Sequence, residues 1–368
     1  MRILVDYRPA LRQRTGVGEY AHNLSTALVR RGDAAAVTLF SSSWKDRLPP
    51  DAVPGAATLD ARVPVSALNF AWHRLSWPPV ENLGAVADVA WSLHPLMIPS
   101  LRAAQVVTVH DLYFLDHPES TAAEVRRDYP ALAGIHARRA DAVIVNSEYT
   151  KRLVETRLEV PPEHVTVCYP GPPAWRVREE PSAPGPILHV GTVEPRKNVQ
   201  ALVDGYLSLA QQRPGLPPLV FAGRIVSAPS PPASGTHRGI FESSVRFLGY
   251  VDDDERLRLY REASVLVIAS WDEGFGMPAL EAMTIGVPVV AANRGSLPEV
   301  LGEAGLLIDP DDPSTIAATV GRLLDDPVLR REQAARGVKR ASSFSWDSSA
   351  GHLLGAFREA VARRTARS

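Results

Sequence analysis

The stretch SVLVIASWDEGFGMPALEAMTIGVPVVA, residues 264–291, decides the fold class. Val265–Ala269 is an apolar run of strand length, Pro278–Ile285 predicts a helix, and Pro288–Ala291 is a second short apolar run. Proline suits the first turn of a helix, so we expect Glu281 to fall within that turn. A strand, a helix and a strand in this order are typical of a parallel sheet covered by helices. The stretch therefore predicts an α/β fold.

The same alternation runs through the first half of the chain. Short apolar runs rich in β-branched residues predict strands there at Arg2–Asp6, Val37–Phe40, Asp88–Ser92, Val106–Val109, Ala142–Asn146 and Val165–Tyr169. Between them, helices are predicted at Glu19–Arg31, Glu124–Ala140 and Glu148–Arg157. This half predicts one Rossmann-like domain.

A proline-rich segment, Pro170–Pro186, interrupts the pattern with six prolines. Proline fixes φ and removes a backbone donor, so the segment is expected to be a linker between domains 1–170 and 186–346. The alternation then restarts, with elements predicted at Ile187–Gly191, Val199–Gln212, Leu219–Ala222, Val245–Leu248, Asp253–Glu262, Val265–Ala269, Pro278–Ile285 and Pro288–Ala291. The segment Val226–Gly239 is rich in turn formers and is expected to be a mobile surface loop. A final amphipathic helix is predicted near Asp347–Arg364.

Two such domains predict a cleft between them, because open parallel sheets bind ligands at the carboxyl ends of their strands. The 368 residues with 45% hydrophobic content suffice for two cores. The formal net charge of -1 gives no reason to expect nucleic-acid binding.

Cys168 is the one cysteine of the sequence and is expected to be a buried structural thiol rather than a nucleophile. The start MRILVDY does not resemble a signal peptide, and the apolar runs are too short to span a bilayer. We therefore expect a cytoplasmic protein.

The glycine pattern around Gly16 and Gly18 has the form G-x-G-x-x-A, which a dinucleotide site would use. The glycines come about ten residues after the first strand, and Phe40 is followed by serines where a ribose-binding acid would be expected, so a nicotinamide site is not favoured. Two interpretations stay open, namely a glycine loop that brings backbone amides to a ligand and a simple tight turn.

Four further side chains lie just after predicted strands. His110 follows the strand Val106–Val109, and Arg196 and Lys197 lie between a strand and a helix, where both cations suit phosphate oxygens. Glu273 lies on a loop whose neighbours Gly274 and Gly276 allow a close approach of backbone to a ligand. A structural role remains the alternative for His110, for the basic turn and for Glu281.

Taken together, these residues resemble glycosyltransferase family 4, retaining enzymes of the GT-B architecture that use nucleotide-sugar donors. The resemblance rests on an E-x7-E pattern in EGFGMPALE, the EPRKN turn, the VTVHD strand end, the GVGEY loop and ADAVIVNSEYT. It spans nearly the whole chain. It also implies that the last helix, residues 347–368, crosses back to pack on the first domain.

The resemblance implies roles for individual residues. Glu273 would contact hydroxyls of the donor sugar, Glu281 the nucleotide ribose, and Lys197 with Arg196 the diphosphate. The backbone amides of Phe275, Gly276 and Met277 would approach the sugar, and His110 would lie beside it. Gly16 and Gly18 would come near the phosphates or the acceptor. The base would rest at Tyr250 and Val251, in the turn after Val245–Leu248. The sequence departs from the family at Thr192, where many members carry a diphosphate-binding arginine that Arg196 would replace.

The implied function is transfer of a hexose with retention, with mannose from GDP-mannose as the first candidate because GTVEPRKN and the DYRPA start resemble mannosyltransferases of polysaccharide assembly. UDP- and dTDP-sugars stay open as donors. No metal is expected, since Asp252, Asp253 and Asp254 suit a helix cap better than a metal site. The alternatives are a nucleotide-sugar epimerase and a non-catalytic binding protein.

The acceptor is expected to be a glycan, a lipid-linked molecule or a small molecule. Six arginines of the first domain would favour peripheral contact with an anionic membrane at its inner face, although an ordinary solvated basic surface is the favoured explanation for them. They are Arg12, Arg14, Arg126, Arg127, Arg138 and Arg139.

Overall fold

A computed structural model describes residues 1–11, 14, 16–32, 36–121, 123–179 and 184–367, apart from the side chains of residues 120 and 124. Arg12, one of the arginines considered for membrane contact, lies outside the described residues. The chain divides into two compact units, Met1–Gly171 with Ser345–Ser368, and Pro172–Phe344.

The first unit contains a sheet of seven parallel strands in the order β3-β2-β1-β4-β5-β6-β7. The strands are β1 (Arg2–Asp6), β2 (Ala36–Ser41), β3 (Ala57–Asp60), β4 (Val89–Ser92), β5 (Ala104–Val109), β6 (Ala142–Val145) and β7 (Val165–Val167). Its helices are α1 (Val17–Arg30), α2 (Val65–Phe70), α3 (Tyr113–Asp116), α4 (Ala123–Arg139), α5 (Glu148–Arg157) and the last helix of the chain, Trp346–Arg367. A π-helical turn, Ala71–Leu75, extends α2.

The last helix packs against α1 and the sheet of the first unit. Its Phe357 is fully buried, and its ring lies edge-on to Trp91 with centroids 5.6 Å apart. The indole Nε1–H of Trp91 donates to Thr108 Oγ1 at 2.8 Å, so the polar atom of this large side chain is satisfied inside the core. Cys168 belongs to the same core, and burial raises the pKa of its thiol to about 12, which confirms the predicted buried thiol.

The second unit contains six parallel strands in the order β10-β9-β8-β11-β12-β13. The strands are β8 (Ile187–Val190), β9 (Leu219–Ala222), β10 (Val245–Gly249), β11 (Val265–Ile268), β12 (Val289–Ala292) and β13 (Leu306–Ile308). The helices are α6 (Val199–Gln212), α7 (Gly235–Ser244), α8 (Asp253–Glu262), α9 (Met277–Ile285), α10 (Leu297–Leu301), α11 (Pro313–Asp325) and α12 (Pro327–Ala341), which makes the last helix of the chain α13.

Two Rossmann-like units are thus confirmed, and every predicted strand is present with its ends within two residues of the prediction. The short edge strands β3 and β13 were not predicted, because each is only three or four residues long and half exposed, so its apolar pattern is weak. The segment Val226–Gly239 was wrongly predicted as a loop throughout. Its last five residues begin α7. The apolar contact of this helix, between the rings of Phe241 and Phe247 with centroids 6.4 Å apart, is made by residues that follow Gly239 in the sequence.

Each sheet reverses its strand order at one point, between β1 and β4 in the first unit and between β8 and β11 in the second. At such a point the connections leave in opposite directions and open a crevice at the carboxyl ends of the two strands. Within the described residues, the molecule contains no helix long and apolar enough to cross a membrane.

Candidate functional site

The crevice of the second unit holds a buried ion pair between Lys197 and Glu273. Lys197 ends a 3₁₀ turn, Pro195–Lys197, that follows β8, and Glu273 lies on the loop that follows β11. The ammonium Nζ of Lys197 donates to Glu273 Oε1 at 2.5 Å, and Ser270 Oγ donates to the same oxygen at 2.7 Å. The side chains of Lys197 and Glu273 are 10% and 8% exposed. The structure therefore brings together a cation and an acid that are 76 residues apart.

Arg196 joins this cluster from the other side. Its Nη1 lies 3.5 Å from Glu273 Oε2 and donates to the carbonyl of Asp272 at 3.1 Å. Its Nη2 pairs with Glu194 at 3.2 Å. Because several acceptors share this guanidinium, Arg196 is held more rigidly than a solvated surface arginine would be.

Glu273 is ionised at neutral pH. Burial by itself would raise the pKa of its carboxyl, but the charges of Lys197 and Arg196 and the hydrogen bonds from Lys197 and Ser270 lower it to about 2. An ionised carboxylate accepts hydrogen bonds and has no proton to give. Glu273 can therefore bind hydroxyl groups, and it cannot serve as a general acid near pH 7.

The Glu273 loop has a fixed backbone. The amide and the hydroxyl of Ser296 donate to the Glu273 carbonyl at 3.0 and 2.8 Å. Gly295 (φ 61°) packs so closely that a Cβ there would lie 2.8 Å from the Glu273 amide nitrogen. Gly276 (φ 88°) caps α9, and Phe275 turns its buried ring to Phe344, with centroids 5.6 Å apart. The loop is thus anchored on both sides of Gly274.

Glu281 lies near this loop, on α9, with partners of its own. The Tyr260 hydroxyl donates to Glu281 Oε2 at 2.8 Å, and Arg256 Nη1 lies 3.6 Å from Oε1. Both partners come from α8, and the Arg256 guanidinium also lies over the ring of Trp175, 5.7 Å from its centroid. Tyr260 was missed from the sequence, where an aromatic residue in the charged run DDDERLRLYRE was the available signal.

The expectation that Glu281 lies in the first turn of its helix is wrong. The helix begins at Met277, one residue earlier than predicted, so the first turn contains no acid. The left-handed backbone of Gly276 permits the earlier start. Glu281 therefore has a tyrosine and an arginine as its partners, rather than the helix terminus.

The floor of the crevice is glycine backbone. Gly191 follows β8 and Gly223 follows β9, with φ of 143° and 149°. A Cβ at Gly223 would collide with the carbonyl of Gly191. Tyr250 and Val251 follow β10, with Tyr250 47% exposed. Next to them Asp252 caps α8, accepting from the Glu255 amide at 2.9 Å, which confirms the predicted cap.

In the first unit, His110 directly follows β5, as predicted. Its Nε2–H donates to the carbonyl of Leu93 at 3.1 Å, and the ring of Tyr20 meets it edge-on at 5.2 Å. Burial lowers the pKa of His110 to about 4, so the imidazole is neutral at pH 7.

The glycine loop of the first unit precedes and begins α1. Gly16 (φ 39°) is the exposed N-cap, and Gly18 is buried, where a Cβ would lie 2.7 Å from the Pro9 carbonyl oxygen. The turn that carries Pro9 is held by a buried pair, Arg8 donating to Asp6 through Nε at 2.7 Å and Nη2 at 2.6 Å. Close packing on this turn explains why position 18 is glycine.

The described residues hold no group of three or more His, Cys, Asp or Glu placed to bind a metal ion. The site of the second unit is instead a cationic pair, an ionised glutamate and a second glutamate held by tyrosine, around a glycine floor.

Comparison with known proteins identifies the family. The family model described as Glycosyltransferase Family 4 matches residues 14–173, and the model described as Glycosyl transferases group 1 matches residues 185–326. The chain is 28% identical to O-antigen chain mannosyltransferase B of Escherichia coli, over 97% of this chain and 100% of that protein. It is 30% identical to the D-inositol 3-phosphate glycosyltransferase of Corynebacterium efficiens, over 74% of this chain and 69% of the relative.

A solved structure shows the same fold. HepE of Anabaena, in complex with UDP and glucose, aligns with a TM-score of 0.68 at 20% identity, over 96% of this chain and 98% of that one. Together with the two family models, these likenesses show that the chain is a glycosyltransferase with the GT-B fold and belongs to glycosyltransferase family 4.

Proposed function

We propose that this glycosyltransferase moves a hexose, with mannose from GDP-mannose as the first candidate, to a glycan, lipid-linked or small-molecule acceptor, with retention of the anomeric configuration and without a metal ion. The observation that carries the proposal is the cluster of Lys197, Arg196 and the ionised Glu273 at the crevice of the second sheet. Glu281 lies on α9, the helix that directly follows the loop of Glu273, and adds a second carboxylate to this site.

The charges of the cluster suit the two ends of a nucleotide sugar. When the glycosidic bond to the diphosphate breaks, negative charge develops on the leaving phosphate, and fixed cations stabilise that charge without rearrangement. Lys197 and Arg196 are such cations. Glu273 accepts hydrogen bonds from the sugar hydroxyls and so orients the ring, and Glu281 accepts from the ribose. Because these two cationic side chains already neutralise the negative charge of the leaving group, a metal ion is less necessary.

The names of the relatives bear on the donor. The Escherichia coli relative is a mannosyltransferase, which supports mannose. HepE was solved with UDP and glucose, which supports a nucleotide-sugar donor and keeps a UDP-sugar open. The Escherichia coli and Corynebacterium efficiens relatives are both named as transferases, which does not favour the alternatives of an epimerase or a non-catalytic binding protein.

A thermal-shift panel with GDP-, UDP-, dTDP- and ADP-sugars tests the donor. Binding of a ligand to the folded state alone raises the melting temperature, so the true donor is expected to give the largest rise. A rise with UDP-sugars and none with GDP-mannose would remove mannose from GDP-mannose as the donor. A Glu273→Gln variant that binds the donor normally and transfers sugar at the wild-type rate would remove the role of Glu273.

The stereochemistry and the metal need separate measurements. NMR of the first product formed distinguishes retention from inversion by the one-bond coupling between C1 and the anomeric hydrogen, which is larger when that hydrogen is equatorial than when it is axial. Transfer that continues at an unchanged rate in excess EDTA supports metal independence, and loss of activity that Mg²⁺ or Mn²⁺ restores contradicts it.

We also propose peripheral contact of the first unit with an anionic membrane. Three large apolar side chains, Phe70, Leu75 and Trp77, are 56, 64 and 61% exposed within eight residues. Arg74, in the same stretch, and Arg127 both pair with the buried carboxylate of Asp128, at 3.1 and 2.7 Å. Because two guanidinium groups share one carboxylate, a net positive charge remains beside the apolar side chains. Aromatic and basic side chains together suit the headgroup region of a bilayer.

Flotation with vesicles tests this contact. The chain is expected to float with vesicles of equal parts phosphatidylcholine and phosphatidylglycerol and not with phosphatidylcholine alone. Trp77→Ser should weaken flotation, whereas Trp44→Ser, which changes another exposed tryptophan (63%), should not. Equal loss in both variants would refute the proposed surface.

A further inference from the structure

His189 is a buried titratable residue of the second unit that the proposed function does not use. It lies in β8 and is 1% exposed. Its Nδ1–H donates to the carbonyl of Val267 on the neighbouring strand β11 at 3.1 Å. Its other ring nitrogen, Nε2, has no hydrogen-bond partner within the described residues. Buried polar atoms are nearly always paired, so an unpaired one at this place calls for a physical reason.

The Nε2 atom lies beside the phosphate-binding end of the site. A Cβ built on Gly191 would lie 3.8 Å from His189 Nε2 and 3.9 Å from Lys197 Cε. The imidazole and the lysine side chain therefore border the same small space, which the absence of a side chain at Gly191 keeps open.

The imidazole presents a lone pair to that space. The bond from Nδ1–H to Val267 fixes the tautomer, so Nε2 is the unprotonated nitrogen. Burial and then the positive charge of Lys197 lower the pKa of His189 to about 4, which keeps the ring neutral near pH 7. A neutral acceptor thus lies near an ammonium group that has three hydrogens to donate.

We propose that His189 is a positioning residue whose Nε2 accepts a hydrogen bond from Lys197 when the donor is bound and Glu273 turns from Lys197 to the sugar hydroxyls. The inference rests on the proposed role of Lys197 in holding the diphosphate. In the structure the ammonium donates to Glu273 Oε1, the same oxygen that Ser270 occupies. Sugar hydroxyls compete for that carboxylate, and Lys197 then needs another acceptor.

A neutral imidazole suits this task better than a second carboxylate would. It takes one hydrogen of the ammonium and fixes its direction, and the remaining two point to phosphate oxygens. Because imidazole carries no negative charge, the full positive charge of Lys197 stays available to the diphosphate. The bond to Val267 anchors the ring to the central strand of the sheet, so its position does not change during the exchange.

Two substitutions separate this role from a structural one. Asparagine places an amide near the position of Nδ1, so His189→Asn keeps a donor for Val267 and removes the acceptor at Nε2. Glutamine reaches the position of Nε2, so His189→Gln keeps an acceptor for Lys197 and loses the bond to Val267. A structural role predicts that the asparagine variant is the better one, and the positioning role predicts the reverse for donor binding.

The measurement is affinity for GDP-mannose and for UDP-glucose by calorimetry, together with donor KM and kcat and the midpoint of urea unfolding. Since the lost hydrogen bond involves a charged group, His189→Asn is expected to weaken donor affinity about tenfold and to raise the donor KM by a similar factor, with His189→Gln near wild type. A glutamine variant that binds the donor as weakly as the asparagine variant, or more weakly, overturns the proposal.

A double variant identifies the group through which His189 acts. In a Lys197→Met background, His189→Asn is expected to cause no further loss of donor affinity. An undiminished loss there refutes the inference. If Lys197→Met alone leaves donor affinity unchanged, the proposed function of Lys197 fails first; if it weakens binding and His189→Asn does not, the inference alone fails.

Discussion

Replacing Lys197 by methionine leaves the carboxylate of Glu273 buried without the cation that contributes most to lowering its pKa. In the native chain that pKa is about 2, against an ordinary value of 4.5. At about 1.4 kcal/mol for each pKa unit, the difference corresponds to about 3 kcal/mol, which Lys197, Arg196 and the hydrogen bond from Ser270 contribute together against the cost of burial. Removing one partner of a buried ion pair costs about 3 to 5 kcal/mol. We therefore expect Lys197→Met to destabilise the second unit by about 3 kcal/mol at pH 7.

The pH dependence follows from the direction of the shift. Since the folded pKa of Glu273 is depressed, its contribution to stability is complete above about pH 4.5 and disappears as the pH falls toward about 2. The difference between wild type and Lys197→Met should therefore be largest at neutral pH and shrink below about pH 4.5.

The assay is urea unfolding read by hydrogen–deuterium exchange of peptides from β8 and β11, because two units need not unfold together. The matched control is the double variant Lys197→Met/Glu273→Gln, which removes the unpaired charge and should recover part of the lost stability. The reasoning is wrong if the single and double variants are equally destabilised, or if the single variant unfolds at the wild-type urea concentration at pH 7.

Three further predictions concern packing and pairing. Tyr260→Phe, which removes the hydrogen bond to Glu281, should weaken donor binding about tenfold in calorimetry. The control is Tyr206→Phe, which removes a hydroxyl that donates to the carbonyl of Pro217 and should leave donor affinity unchanged. Equal affinities for both variants would contradict a role for Tyr260 in the site. Gly223→Ala should destabilise the second unit by more than about 2 kcal/mol in urea unfolding, because its Cβ collides with Gly191 and its φ is 149°. The control Gly239→Ala, whose Cβ meets nothing within 4 Å, should unfold close to the wild-type urea concentration. An unchanged stability of Gly223→Ala would show that the backbone at Gly191 and Gly223 can shift to accept a side chain. Asp6→Asn should lower the stability of the first unit by about 3 kcal/mol at pH 7, because it leaves Arg8 without the buried carboxylate whose pKa Arg8 holds well below its usual range. An unchanged unfolding midpoint would argue against this.

Much of the fold could be predicted because its signals are local. An apolar run of four or five residues, such as Leu219–Ala222, predicts a buried strand by itself, and the predicted helix Val199–Gln212 agrees with α6 at both ends. Turn chemistry is equally local, as the cap at Asp252 shows. The signals failed where elements were short or where partners lay outside the stretch considered, as at β3, β13 and α7.

The candidate site could be predicted as a set of residues but not as an arrangement. The sequence placed Glu273, Lys197 and Arg196 at strand ends, and parallel strands bring such ends to one edge of a sheet. It gave no means to see that Ser270 shares an oxygen of Glu273 with Lys197, or that Tyr260 holds Glu281. Those contacts depend on how helices and loops dock, which sequence spacing does not specify.

By itself, then, the amino-acid sequence determined two α/β units and the residues that the family resemblance places at the donor. The tertiary structure alone decided the ionisation of Glu273, the displacement of Glu281 from the first turn of its helix and the position of the His189 nitrogen, which finds no partner among the residues described. The physical reason is that propensity, turns and periodicity act between near neighbours in the chain, whereas burial and charge act between groups that only folding brings together, such as Lys197 and Glu273 across 76 residues.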